Sequence, residues 1–356
     1  MDFKKLLWDL FYDTGKPLSQ FYAWAHNLWM QTGLPGFILD VFFQLVIAVV
    51  IAVFIALNAI WIIYYERKFA ALLQIRKGPN RVGPFGLFQT VADTVKMLLK
   101  EDINPDKSDI LTFWAAPFII FAASFGVFLV IPFGNGLIAG DVNIGMLYVL
   151  AISGLAVIGI LSAGFGSNSK YSLIGGLRSA AQVISYEIPM VLTVLAVVML
   201  AGSLKMSDIV AAQTGNPLKW YFIPQIVGLV LFLIAGNAEI NRGPFDLPEA
   251  ESELVSGFIT EYSGMKFAMF FLAEYTNLFL TSALAATLFL GGWQGPFLPP
   301  VVWFMLKTYF IVTILMWARW TFPRIRVDHL MAFSWKILLP IALLNLLITA
   351  FLIKVI

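Results

Sequence analysis

Eight stretches of about twenty residues run almost without interruption in Leu, Ile, Val, Phe, Ala and Gly, and polar residues gather between them. That length spans the hydrocarbon of a bilayer as a helix. The runs fall at about Val41–Tyr64, Thr112–Pro132, Gly145–Ala163, Gln182–Gly202, Tyr221–Ile240, Phe267–Gly291, Val301–Trp320 and Ile337–Ile356. They are continuous rather than alternating, which excludes a transmembrane β-barrel. The pattern predicts an all-α integral membrane protein of eight spans, with a single membrane domain over residues 41–356. Residues 1–40 form an external segment whose Trp and Tyr residues interrupt any signal-peptide core, so an interfacial helix is expected there.

A different period appears between spans 1 and 2. From Pro84 to Glu101, Phe88, Val91, Val95 and Leu98 share one helical face, while Gln89, Asp93, Lys96 and Lys100 share the other. Such a helix is expected in the headgroup plane rather than across the membrane. Ahead of it, the stretch from Arg76 to Pro84 is a basic, turn-rich hinge. Hinge and helix, about 76–101, read most simply as an orientation-setting loop, with a lipid-accessible gate as the functional alternative.

Composition agrees with the spans: 60% of residues are hydrophobic and 12% charged, against roughly 25% charged in soluble domains. Disorder and nucleic-acid binding are excluded together. Lys and Arg are distributed unevenly: sixteen lie on the loops after spans 1, 3, 5 and 7, six on the other face, and Lys307 within a span. The positive-inside rule then puts those four loops in the cytoplasm and both termini outside. With no Cys, the chain can anchor neither iron–sulfur clusters nor disulfides, and its two histidines, His26 and His329, offer no ligand set for zinc or haem. No internal repeat of the transporter kind is visible.

Ionisable residues in or near the spans carry the chemical signal, because each needs water or a partner there. Glu187 sits in Ser185-Tyr186-Glu187-Ile188-Pro189, read as an early turn of span 4; Pro189 frees the carbonyl of Ser185, and a small hydrated pocket is expected beside it. Glu239 precedes Arg242 by three residues, a spacing for a local ion pair. In the acidic loop that follows, about 239–266, Asp246 and Glu249 fit a capping box with Pro248 in the first turn. Glu249 and Glu253 share a face at i, i+4, where repulsion eases protonation, with Glu251 nearby. Glu261 and Glu274 continue the series, and Glu274 lies well inside span 6. A carboxylate relay from cytoplasm to membrane interior accounts for the set. Glu66 and Arg67 end span 1 beside the hinge; Arg76, Arg319, Arg324 and Arg326 add positive charge on the same face, through positive-inside bias or as the boundary of a polar chamber.

Several of these stretches resemble one family. Glu66-Arg67-Lys68, the Arg76–Gly86 hinge, Ser167–Tyr171, Ser185-Tyr186-Glu187, Glu239 through Tyr275 and Pro323–Asp328 are similar to the quinone-site membrane subunit of proton-pumping NADH:quinone oxidoreductase, complex I. The resemblance covers the chain from span 1 onward, and the loop after span 5 is its most specific part. It implies an eight-span subunit forming the membrane part of a quinone tunnel, with a mouth between span 1, span 6 and the amphipathic helix near Phe271. It implies that Glu66, Arg67, Arg76 and Arg319 line or approach the tunnel. Glu187, Glu239, Arg242, Asp246, Glu249, Glu251, Glu253, Glu261 and Glu274 would couple quinone reduction to proton movement. It implies a bacterial inner membrane, other membrane subunits and soluble iron–sulfur subunits as partners, and quinone as substrate, with FMN and iron–sulfur clusters on partner subunits and no cofactor on this chain. Lys266 departs mildly, falling where some members are uncharged. Two other readings stay open: an anchor for a related hydrogenase or other dehydrogenase, and a secondary ion transporter.

Overall fold

A computed structural model of the chain describes Trp24 and residues 36–215, 217–248 and 251–355, and its named elements are all helical. Seven helices are long and apolar enough to cross a membrane. They are α1 (Gly36–Leu73); α3 (Ile110–Gly126, continued by a 3-10 turn Val127–Val130); α4 (Gly145–Gly166); α5 (Lys170–Ala201); α9 (Gly264–Phe289); α10 (Pro300–Thr321); and the pair α11 (Val327–Phe333) and α12 (Leu339–Val355). A π-helical turn over Ser334–Leu338 makes that pair one continuous rod. Shorter elements are α2 (Gln89–Leu99), α6 (Met206–Ala211), α7 (Ile226–Glu239) and α8 (Glu251–Leu254).

The fifth apolar run yields only α7, 14 residues, or about 21 Å at 1.5 Å per residue, short of the roughly 30 Å hydrocarbon core. Pro224 explains its late start, because the residue before a proline avoids the helical region; Tyr221 to Gln225 form turns instead. The other spans start at or before their expected positions, and those of runs 2, 4 and 6 end one or two residues early. Span 1 begins within the segment read as external, since residues 36–40 are already helical, and α1 runs on to Leu73. Before residue 36 only Trp24 is described, so the expected interfacial helix and His26 lie outside the described residues.

Helix α5 corrects the reading of Glu187. It starts at Lys170, twelve residues before the apolar run, so Glu187 sits near its middle rather than in an early turn. Pro189 does free the carbonyl of Ser185, but that oxygen is not left for water. The Ser334 hydroxyl, on the π turn of the last rod, donates to it at 2.6 Å, and Trp335 Nε1 donates to Ser185 Oγ at 3.3 Å. The widened turn and the missing hydrogen bond complement each other across two helices.

Helix α9 is the axis of the bundle, with 67% of its apolar window buried. It packs against α1, α3, α7 and α10, while α5 packs against α4, α7 and α12. Close approach depends on glycine where α5 meets the 3-10 turn Gly257–Ile259: a Cβ on Gly175 would lie 2.6 Å from Gly257 Cα, and Ser172 Oγ donates to Phe258 O beside it at 3.1 Å. This contact fixes the loop before α9 against the bundle. Gly175→Ala is expected to cost about 1–3 kcal/mol through overpacking, read as a lower thermal midpoint of the detergent-solubilised protein.

Candidate functional site: an arginine between two glutamates

Helix α7 ends because Asn241 adopts a left-handed conformation (φ 58°), which turns the chain back and aims Arg242 into the bundle. Arg242 is 2% exposed. Its Nε donates to Glu274 Oε1 of α9 at 2.6 Å, and its Nη1 lies 3.0 Å from Glu66 Oε2 of α1, an ion pair without hydrogen-bond alignment. The guanidinium carbon sits 4.2 Å from the Tyr275 ring centre. Glu66, 4% exposed, also accepts from Arg319 Nη1 of α10 at 2.7 Å. Two carboxylates and two guanidiniums from four segments therefore balance in charge, the condition under which such burial is tolerated. The local pair expected between Glu239 and Arg242 does not form: the αL turn sends Arg242 to partners 176 and 32 positions away in sequence.

Glu239, the last residue of α7, and Glu274 both border a cavity of about 80 Å³, with Asn241, Asn277, Ser124 and Ser153. At roughly 10–15 Å³ each, several waters fit. Ser124 Oγ and Asn241 Oδ1 are buried without a protein hydrogen bond, as are Gln182 Oε1 and Asn237 Oδ1 on the same side of the bundle. Glu187 borders this region from α5: its Oε1 would lie 3.6 Å from a Cβ on Gly154, and its charge repels that of Glu239.

The outer members of the acid series are dispersed. The capping box expected for Asp246 turns on Glu249, which lies outside the described residues; Asp246 pairs with Arg324 at 3.2 Å. Burial pushes its carboxyl above the ordinary carboxylate range, against the pull of Arg324 and Arg319. Glu253 is exposed and pairs with Arg178 at 2.6 Å. Glu261 is half-buried on the turn before α9. Glu249 lies outside the described residues, so its crowding with Glu253 does too, and Glu251 opens α8.

A second cavity, about 360 Å³, lies between α1, α2 and α9. Ile60, Ile63 and Arg67 line it from α1, Thr90, Asp93 and Met97 from α2, and Ala268 and Phe271 from α9. Two residues of the polar stripe of α2, Asp93 and Lys96, line this cavity: Asp93 meets Arg67 Nη1 at 2.5 Å, while Val91, Val95 and Leu98 are exposed. Phe271 packs edge-on against Tyr275 at 4.9 Å, and Tyr275 covers Arg242. An aromatic pair at i, i+4 on α9 thus separates the lateral cavity from the buried ions. Arg67 also borders an open basic cleft with Arg76, Lys77 and Arg81; Arg76 bonds Gln74 there and takes no part in the Glu66–Arg242 cluster. Sequence reasoning missed Asp93 and Tyr275 as site residues. Asp93 stood out only as a charge on an interfacial stripe, and Tyr275 only as the end of the stretch from Glu239 that resembles the family.

Residues 45–350 match the family model described as NADH dehydrogenase. The chain belongs to that family. It is 52% identical to an NADH-quinone oxidoreductase subunit of Carboxydothermus hydrogenoformans over 88% of this chain and 89% of that one. It is 49% identical to the like-named subunit of Brevibacillus brevis over 94% and 96%, and 46% identical to that of Bacteroides fragilis over 92% and 95%. Seven of its described helices are long and apolar enough to cross a membrane. Among the described residues no cluster of three metal-ligating side chains occurs.

The buried cluster generates a direct expectation. Arg242→Met leaves Glu66 and Glu274 short of their shared cation, which is expected to destabilise the fold by about 3–5 kcal/mol. Adding Glu274→Gln is expected to recover part of that loss, measured by thermal unfolding of the purified double and single variants.

Proposed function

We propose that the chain is the membrane subunit of a bacterial NADH-quinone oxidoreductase, admitting quinone from the bilayer and passing its reduction on to a chain of carboxylates. In this reading α7 counts as an eighth span, α2 lies in the headgroup plane, both termini face the periplasm, and residues 41–356 form one membrane domain. The observation that carries the proposal is the pairing of a lateral, largely apolar cavity with a buried, charge-balanced cluster one aromatic layer away. A lipid-soluble ring with a long tail suits the cavity; the cluster suits a response to its charge.

Reducing a quinone to quinol takes two electrons and two protons. Electrons arrive through flavin and iron–sulfur partners, because this chain has no cysteine. Negative charge arising near Arg67, Arg76 and Arg319 competes with Glu66 and Asp93 for those cations. A carboxylate that loses part of its partner takes up a proton more readily. Glu66 and Glu274 share Arg242, so a change at one is felt at the other, and the cavity holding Glu239 and Glu274 extends the path toward Glu187. Asp246, Glu249, Glu251, Glu253 and Glu261 supply the cytoplasmic approach.

Filling the lateral cavity tests the substrate route. In the assembled complex, Ala268→Trp is expected to raise KM for a long-tailed quinone about tenfold, with electron transfer from NADH to a water-soluble artificial acceptor unchanged; an unchanged KM removes the cavity from the route. Glu187→Gln tests the coupling. Proton translocation per quinone reduced is expected to fall severalfold in proteoliposomes, and wild-type translocation would take Glu187 out of the path.

A further inference from the structure

Lys266 enters the bundle at the first turn of α9 and is 3% exposed, although it is a lysine at the edge of a membrane helix. Its ammonium lies 3.2 Å from Asp102 Oδ2 and donates to Asn104 Oδ1. It also stands 3.7 Å from the ring centre of Trp114 and 4.9 Å from that of Phe113, both at the start of α3. An ammonium between aromatic faces and a carboxylate is held from several directions at once. The surrounding backbone is stitched to the same place. The Ile103 amide donates to Ser263 Oγ at 2.9 Å, and Ser263 Oγ reaches Glu101 O at 3.3 Å. Gly264 has φ +55° and so little room that a Cβ would sit 3.0 Å from Lys100 O. Tyr262 stacks on Phe113 at 4.1 Å.

We propose that Lys266 is a positioning residue that latches the 100–104 strap, and with it the C-terminal end of α2, to the mouth of the lateral cavity. Its neighbours in sequence, Met265, Phe267 and Ala268, line that cavity, and α2 forms the facing wall. The other tie on α2 is Arg67–Asp93, whose side chains are 40% and 35% exposed, and such solvent-screened pairs hold an element weakly. The gap between α2 and α9 is therefore set mainly at the strap. Without the latch, the apolar walls relax toward each other, as the lining of an unsupported cavity does. A long tail that must thread this gap is then hindered more than a short one. The latch rests on the reading of the cavity as the quinone route.

The test compares a long-tailed isoprenoid quinone in proteoliposomes with a short-tailed soluble quinone, using the assembled complex. Lys266→Met is expected to raise KM for the long-tailed quinone about fivefold while leaving kcat, and both constants for the short-tailed quinone, within about twofold. Lys266→Arg, which keeps the charge and the aromatic contacts, is expected to restore the wild-type ratio. Equal effects of Lys266→Met on both quinones, or none on either, overturn the latch. Ala268→Trp separates the two levels: if it raises KM for the long tail and Lys266→Met does not, the latch alone fails; if neither acts, the route fails. Should Lys266→Met not assemble, Asp102→Asn removes only the carboxylate, and an unaltered ratio of the two KM values in that variant overturns the proposal.

Discussion

A guanidinium sealed between two carboxylates governs the arrangement of this bundle. Arg242 cannot be neutralised as a lysine could, so it must find negative charge wherever the fold puts it. Glu274 comes from the central helix, Glu66 from the first, and Arg319 balances the excess from α10. Three helices and the turn after α7 are thereby held in one register. Hydrophobic packing between membrane helices gives little such register, because lipid tails are as apolar as the side chains they replace. Buried ions are poor sources of stability, since desolvation offsets most of their attraction. Their presence here accordingly speaks for a response to charge more than for strength.

That response has a physical route. Phe271 and Tyr275 place one aromatic layer between the lateral cavity and Arg242. Charge is screened poorly across such a layer, so an anion on the cavity side acts on the cluster without touching it. On the far side, Glu274 borders the cavity shared with Glu239, whose carboxylate in turn feels Glu187. In the proposed function the neighbours run from the lateral cavity, through the ions, to a largely apolar cavity edged by Glu239 and Glu274, and each would act on the next through its charge rather than through movement of a helix.

Much of this was legible in the order of residues alone. The spans announce themselves because a helix in lipid must be apolar on every side, and the acid series stands out against that background. Elements set by partners distant in sequence were not legible. Pro189 signals a freed carbonyl, but nothing near it reveals that Ser334 will occupy that oxygen. Glu239 and Arg242 have helical spacing, yet the left-handed turn at Asn241 overrides it. The stripe of α2 is amphipathic in either orientation, and only Arg67 on a neighbouring helix decides that Asp93 faces in. Lys266 stood out only as a loop cation where some family members are uncharged, because its partners Asp102 and Trp114 come from the strap and the start of α3.

The central claim is that buried carboxylates exchange protons as the quinone changes redox state. Infrared difference spectra of the purified complex, reduced against oxidised, report protonated carboxyl groups through their C=O stretch. The account predicts a carboxyl band that appears or shifts on quinone reduction and disappears when Glu239 is replaced by Gln. A spectrum with no carboxyl change, or one identical in the native complex and in both the Glu239→Gln and Glu274→Gln variants, would contradict it.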